Sequence, residues 1–208
     1  MNKLTTTDAL VREVRKRAIE HERILVAVAG PPGSGKSTLA ENLAERLGPS
    51  AAVLPMDGFH LDNPTLRQMD LFDRKGAPET FDASGFVALV RALRSNKDLF
   101  YPTFDREADS TVPRGGQIGK QTNVVVVEGN YLLLDNPPWS ELADLFDLTV
   151  SIDVDRDVLE TRLIKRWLDH GLSEADAEAR ALGNDMRNVE FVMNNSRASD
   201  FVIQPKDV

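Results

Sequence analysis

The stretch GPPGSGKST at 30–38 sets three glycines, two prolines, one lysine and three hydroxyl side chains between an apolar run and a helical pattern. Gly30, Gly35, Lys36 and Ser37 fit the spacing G-x-x-x-x-G-K-[ST]. Glycine reaches backbone conformations that a Cβ forbids. Gly30, Gly33 and Gly35, with Pro31, Pro32, Ser34 and Thr38 filling the loop, let the chain curl until its N–H groups face inward. Inward N–H groups at the start of a helix attract phosphate oxygens. In that setting Lys36 reaches the β- and γ-phosphates of a nucleoside triphosphate, and the Ser37 hydroxyl holds Mg²⁺.

A triphosphate site alone fits a kinase, a GTP-driven switch or a mechanical ATPase. A switch needs D-x-x-G after a buried strand and N-K-x-D to read guanine. The string DASG at 82–85 follows a charged, broken stretch and reads as a helix start. In NKD at 96–98 the aspartate comes one position early, and the string reads as a solvated turn. A kinase needs a group to orient or deprotonate the acceptor hydroxyl, an acid near Mg²⁺, and cations for the transferring phosphoryl group. Asp57, after a short apolar run, meets the first need; its alternative is a turn cap before Gly58. Glu128 ends VVVVEG and meets the second through the water shell of Mg²⁺; its alternative is a solvated strand end. Arg162 and Arg166, four apart with Lys165 between them, share a helix face and suit a lid over the γ-phosphate. Their alternative is a solvated basic face paired with Glu160 and Asp169.

Positioning these groups falls to an alternation of apolar runs and helical patterns. ILVAVA at 24–29, AAVLPM at 51–56, NVVVVEG at 123–129, LTVSIDV at 148–154 and DFVI at 200–203 read as strands. The valines at 124–127 do not alternate with polar residues, so both faces are covered, as in a parallel sheet. Helices are expected from Thr7 or Asp8, over 38–47 with a stop at Gly48, from Ser84 to about 94, and from Asp155 to His170. Ser173 with Asp176 forms a capping box for a last helix reaching about Asn195. Residues 57–82 read as irregular; 99–105 is extended, but Pro102 bars it from a sheet interior, and 105–120 reads as a loop or small hairpin. The alternation implies a three-layer α/β fold with a parallel sheet.

One domain suits 208 residues of which 41% are apolar. A formal net charge of −8 argues against nucleic acid and anionic membrane as partners. The lack of cysteine excludes disulfides and thiolate metal sites and fits a reducing, cytoplasmic setting. No run is long and apolar enough to span a bilayer, and the N-terminus lacks the apolar core of a signal peptide. His21 and His170 read as solvated helix residues, and Trp139 and Trp167 as packing anchors. The first helix's apolar face, with Leu10, Val14 and Ala18, fits the core or a homodimer contact.

The loop at 30–38, MDGFH at 56–60, RKGAPETFD at 74–82, YPTFD at 101–105, VVEGNYLLL at 126–134 and the basic helix from Arg162 together resemble the P-loop kinase family of uridine kinase, phosphoribulokinase and bacterial type I pantothenate kinase. Within it, the chain is most similar to short bacterial members labelled fructokinase or fructose-transport kinase. The likeness covers most of the chain, and KGAPETFD and VVEGNYLLL weigh most. It implies a P-loop NTPase fold with a five-stranded parallel sheet and a small helical lid at about 156–175. Phosphoryl transfer from ATP, with Mg²⁺, to a hydroxyl of a small polar metabolite is the implied activity; the acceptor is a sugar such as fructose, a nucleoside or a pantothenate-like compound. Asp57 is then the base, Glu128 stands near the metal, and Arg162 or Arg166 contacts phosphate. The same likeness places His60, Phe59, Asp105, Arg106, Tyr131 and Asn194 in the acceptor pocket, formed by 57–82 and 100–120. The chain departs from uridine kinases in carrying Gly58-Phe59-His60 where they have Ser-Phe-Tyr, and Phe104 where tyrosine is usual. An ATP-binding regulatory protein without an acceptor is the alternative.

Overall fold

The computed structural model of the chain describes residues 3–95 and 97–205. In chain order its elements are β1 (Lys3–Thr5), α1 (Thr7–Ala18), β2 (Ile24–Ala29), α2 (Lys36–Leu47), β3 (Ala51–Pro55), α3 (Asn63–Gln68), α4 (Ala83–Ala92), β4 (Leu99–Asp105), β5 (Ser110–Ile118), β6 (Val124–Gly129), β7 (Leu148–Ile152), α5 (Arg156–Asp169), α6 (Glu174–Arg180), α7 (Met186–Asn195) and β8 (Phe201–Ile203). A π-helical turn, Ala181–Asp185, joins α6 to α7, and 3₁₀ turns occupy Met56–Phe59, Phe72–Arg74, Pro78–Thr80 and Trp139–Leu142.

β2 and β6 are buried at every position, which demands cover on both faces. They lie side by side within a six-stranded, all-parallel sheet of order β1-β8-β7-β2-β6-β3. Alternation along the strands divides their side chains between two layers. Leu25, Ala27, Val125 and Val127 pack with α4, the 131–134 segment and Trp139. Ile24, Val26, Val28, Val124 and Val126 pack with α1, α2 and α5. The sheet has six strands rather than five because β1 adds to β8 at the edge. Its three residues are too few to show an apolar period.

The chain runs from β2 to β3 and β6 on one side, then to β7 and β8 on the other. In open sheets, ligands bind beyond the carboxyl ends of the strands where the order reverses in this way. The 30–38 loop and Glu128 both leave the sheet there. β4 and β5 form a separate antiparallel hairpin, as Pro102 requires. Its base is tied down by buried Arg23, which donates to the carbonyls of Thr122, Leu93, Ser95 and Gly119 at 2.7, 3.0, 3.2 and 2.8 Å.

Several helix starts differ from the sequence expectation for local reasons. Thr6 caps α1, its Oγ accepting from Ala9 N–H at 3.3 Å. α2 begins at Lys36 because Gly35, at φ 93°, swings the loop straight into the helix. Asp82 caps α4, accepting from Gly85 N–H at 2.9 Å, so DASG is a helix start. Asp155 stands at the N-cap of α5 without a capping bond, whereas Ser173 caps α6 by accepting from Asp176 N–H at 3.2 Å. Residues 57–82 hold α3 and three 3₁₀ turns, so they are more regular than expected. Asn96 of the NKD turn lies outside the described residues. His21 follows α1 instead of lying within it, and His170 is the C-cap of α5. Leu10 and Val14 of α1 are buried against the sheet and Ala18 is partly buried there, so this apolar face serves the core. Among the described residues no helix is long and apolar enough to cross a membrane.

Candidate active site

The loop between β2 and α2 is built on two left-handed glycines, Gly33 at φ 80° and Gly35 at φ 93°. Ser34 N–H donates to the Pro31 carbonyl at 3.1 Å and closes one turn. A Cβ on Gly30 would lie 2.6 Å from Ser34 Oγ, so the first glycine lets the loop fold onto itself. Ser34 is buried, and its Oγ has no partner among the described residues. No side chain caps α2, so the first-turn N–H groups of Lys36, Ser37 and Thr38 are left for an anion.

Glu128 emerges beside this loop, 5% exposed, with Oε2 unpartnered among the described residues. Burial pushes its carboxyl pKa up; the Lys36 ammonium pulls it back, the Asp57 charge raises it further, and the Ser37 hydroxyl and Arg106 lower it. Those influences place Lys36, Asp57, Ser37 and Arg106 around one carboxylate. An orphaned carboxylate oxygen beside a serine hydroxyl is a hard-oxygen donor set that fits Mg²⁺, whose charge would offset the burial.

Asp57 is the second residue of the 3₁₀ turn Met56–Phe59 that follows β3. Its Oδ2 accepts from Arg106 Nη2 at 2.8 Å. Arg106 comes from the tip of the β4–β5 hairpin, where the Asp105 carboxylate accepts from the N–H groups of Glu107 and Ala108 at 3.0 and 2.9 Å. His60 Nδ1 lies 2.8 Å from the Asp57 carbonyl. A carbonyl only accepts, so the ring proton sits on Nδ1 and Nε2 is an acceptor. Burial holds the His60 pKa below its ordinary value. The ring stacks between Phe81 and Phe104, with centroids 4.0 and 4.7 Å away. Lys75 Nζ donates to Asn63 Oδ1 and Asp109 Oδ1, both at 2.7 Å, and lies 5.1 Å from the Phe104 ring centre. Asp57, His60, Lys75 and Arg106 share one cleft of about 390 Å³ with Pro32, Gly33 and Lys36 of the loop.

A sequence profile described as "Phosphoribulokinase / Uridine kinase family" matches residues 25–205, from β2 through β8. The chain belongs to the phosphoribulokinase / uridine kinase family. It is an ATP-dependent kinase. "Putative uridine kinase C227.14" of Schizosaccharomyces pombe is 37% identical over 212 residues, spanning 92% of this chain and 89% of its own. The Escherichia coli K12 protein YggC is 38% identical over 187 residues, spanning 88% of this chain and 78% of its own. A crystal structure of a "putative fructose transport system kinase" from Silicibacter sp. TM1040 superposes with a TM-score of 0.89 at 42% identity, over 95% of this chain and 98% of that one.

In this kinase α5, α6 and the π turn supply the remaining wall of the cleft. Arg162 Nη1 donates to the Gly33 carbonyl at 3.1 Å and so touches the phosphate loop itself. Arg166 Nη2 and Trp167 Nε1 both donate to Asp185 Oδ2, at 2.9 and 2.7 Å. Trp167, expected to be a packing anchor, packs on the core and also lines the cleft. The residue before Asp185 faces the other way: Asn184 Oδ1 accepts from Arg74 Nη1 at 2.8 Å, and its Nδ2 donates to the Lys75 carbonyl at 2.9 Å. π turns recur at functional sites. This one lets two adjacent side chains hold α5 and the 74–75 segment together.

Of the residues expected in the acceptor pocket, His60 and Arg106 line the cleft and the other four do not. The Phe59 ring is buried edge-on against Phe86, centroids 5.1 Å apart. Tyr131 is fully buried, its hydroxyl donating to the Gly76 carbonyl, and burial pushes its pKa up. Asp105 shapes the hairpin turn. Asn194 is exposed, because α7 rotates by about 240° between it and Asn188, the residue of that helix on the cleft. The sequence reading missed Lys75, Asn130, Arg180 and Asn188, all of which line the cleft. The first two lie inside KGAPETFD and VVEGNYLLL, so their motifs carried a signal; the other two had none.

Proposed function

We propose that this kinase uses Mg²⁺ and transfers the γ-phosphoryl group of ATP to a hydroxyl of a small polar metabolite. The names of two relatives, a uridine kinase and a fructose transport system kinase, support a sugar or a nucleoside as acceptor, with a pantothenate-like compound as a further candidate. The observation that carries the reading is that Asp57 and Lys36 line one cleft, with buried Glu128 under the influence of both. Asp57 takes the hydroxyl proton as the hydroxyl oxygen bonds to the γ-phosphorus, and the bond from that phosphorus to the bridging oxygen breaks to leave ADP. Loop N–H groups and Lys36 hold the phosphates. Ser37 and Glu128 would hold Mg²⁺, directly or through water, and that ion supplies positive charge against the triphosphate oxygens. Arg162 and Arg166 flank the phosphates. Arg180, whose buried Nε has no partner among the described residues, adds a third donor on the same side. Excluding water from this cleft keeps the phosphoryl group for the acceptor. The net charge of −8 and the absence of cysteine support a cytoplasmic enzyme without nucleic-acid or membrane partners.

The test is ADP release from ATP with and without a metabolite library, on the natural chain and on Asp57→Asn. The variant should bind ATP normally and lose about a hundredfold or more in turnover. Normal turnover by the variant with the true acceptor would show that Asp57 is not the base. A regulator without an acceptor would release no ADP in response to any compound.

A further inference from the structure

Resting on that reading, we infer that Arg180 is the lid cation that meets the transferring phosphoryl group, and that Asp185 positions it through the indole of Trp167. Arg162 and Arg166, the two arginines that the family resemblance singles out, have other work.

The three guanidinium groups differ in what already binds them. Arg162 is exposed, is not part of the cleft lining, and donates to the Gly33 carbonyl at 3.1 Å. It fastens α5 to the phosphate loop. Arg166 lines the cleft but is paired with Asp185, Nη2 to Oδ2 at 2.9 Å. Asp185 is 8% exposed. Drawing Arg166 away onto a phosphate would leave that carboxylate buried with only the Trp167 N–H, and an unmatched buried charge is costly. Arg180 also lines the cleft. It has no salt bridge among the described residues, and its buried Nε has no acceptor there. Buried donors without acceptors are rare. A phosphoryl oxygen is an acceptor, and a guanidinium without a carboxylate brings it an uncompensated positive charge. As the bond from the γ-phosphorus to the bridging oxygen lengthens, that charge and those N–H groups stabilise the phosphoryl oxygens.

Asp185 enters through the geometry of the chain. Arg180 directly precedes the π turn, and Asp185 is its last residue. Five residues of α-helix would turn the second side chain about 140° away from the first. The i→i+5 closure of a π turn brings the two to one side instead. Both reach Trp167 of α5: the Arg180 Cζ lies 5.0 Å from the ring centre, and Asp185 Oδ2 accepts from Nε1 at 2.7 Å. The carboxylate holds the ring, and the ring carries the guanidinium. Arg166, bonded to the same oxygen and 5.2 Å from the same ring, is the strut of this assembly.

ATP differs from ADP only in the γ-phosphoryl group, so comparing affinities for the two isolates this contact and needs no acceptor. The full chain is titrated by calorimetry with Mg²⁺ and the β,γ-imido analogue of ATP, and separately with Mg²⁺ and ADP. Arg180→Ala should weaken the analogue by about tenfold or more and leave ADP within about twofold. Its loss of preference for the analogue should exceed that of Arg162→Ala and of Arg166→Ala. An unchanged preference in Arg180→Ala, or a larger loss in either of the others, overturns the assignment and leaves the kinase reading standing. Trp167→Phe keeps a ring and removes the N–H that Asp185 holds. It should lower the preference by about threefold or more in the natural chain and add nothing once Arg180 is alanine, because its effect passes through Arg180. The same factor in both backgrounds, or no effect in either, overturns the positioning role of Asp185. If Trp167→Phe does not fold, Asp185→Asn carries the same comparison. A natural chain that binds neither nucleotide brings down the kinase reading together with this inference.

Discussion

Gly58 follows Asp57 in the 3₁₀ turn, and a Cβ there would lie 1.8 Å from the carbonyl oxygen of Pro102 and 2.6 Å from its carbon. Both atoms are backbone of β4, so no side-chain rotation relieves the overlap. Carbon and oxygen approach to about 3.3 Å at closest, so Gly58→Ala must push the hairpin away by about 1.5 Å. Overpacking of this kind costs about 1–3 kcal/mol, which for a chain of this length lowers Tm by about 2–12 °C. The functional loss should be larger. Asp57 directly precedes Gly58 in the same turn, and misplacing a positioned group by about 1 Å costs on the order of a hundredfold in rate. The assay is kcat and KM for ATP on purified Gly58→Ala with a library compound that stimulates ADP release, together with a thermal melt. KM for ATP should stay within about twofold, because the phosphate loop is not touched. Full turnover and an unchanged Tm would show that the hairpin does not seat on this turn in the working enzyme, and the cleft between Asp57 and the phosphate loop would then be the wrong one.

Burial raises the folded-state pKa of Glu128, so its ionisation opposes folding, a cost absent below the unfolded value and complete once pH passes the folded one. In Mg²⁺-free buffer Glu128→Gln should match the natural chain's Tm at low pH and exceed it as pH rises, while turnover with Mg-ATP collapses; a lower Tm at every pH refutes the buried-charge account. Arg23→Ala strips four carbonyls of their donor and should cost about 3 kcal/mol or more in a urea titration, with ATP affinity little changed; an unmoved midpoint speaks against the anchor. Asn184→Ala cuts the link to Arg74 and Lys75 and leaves Asp185 on Arg166 and Trp167. With a nonhydrolysable ATP analogue, hydrogen exchange should show α5 protected in both chains but 72–80 protected only in the natural one; equal protection at 72–80 means that the π turn does not couple them.

What is legible in the sequence is what depends on local backbone chemistry. The 30–38 loop can be read because its demands, left-handed glycines and a helix start, fall within nine consecutive residues. The sheet centre can be read because 24–29 and 124–129 lack polar alternation, whereas β1, a short edge strand, shows no period. Asp57 and Glu128 can be singled out because each ends an apolar run. Pairings across the cleft cannot be read. Arg106 reaches Asp57 only because Gly58 admits the hairpin, and the phase that turns Asn188 toward the cleft follows a π turn that no residue pattern announces. Aromatic residues in the shared motifs are ambiguous for the same reason. Tyr131 and Phe59 went to the core, Phe104 lines the cleft, and Phe81 does both.

The two cations of the acceptor side differ in how firmly they are held, and that difference bears on how Asp57 becomes available. The Lys75 side chain is 10% exposed and bound by Asn63 and by Asp109 through both carboxylate and carbonyl. Moving it would expose several unmet acceptors at once, so it belongs to the wall. The Arg106 side chain is 65% exposed and makes a single contact to Asp57. An exposed pair of this kind contributes about 0–1 kcal/mol, so an acceptor can displace it at small cost. Arg106 is thus a removable cover: an arriving hydroxyl can share or take over the Asp57 carboxylate at small cost. A lysine fixed in the wall and an arginine free to yield give the cleft a constant shape and an accessible Asp57 carboxylate.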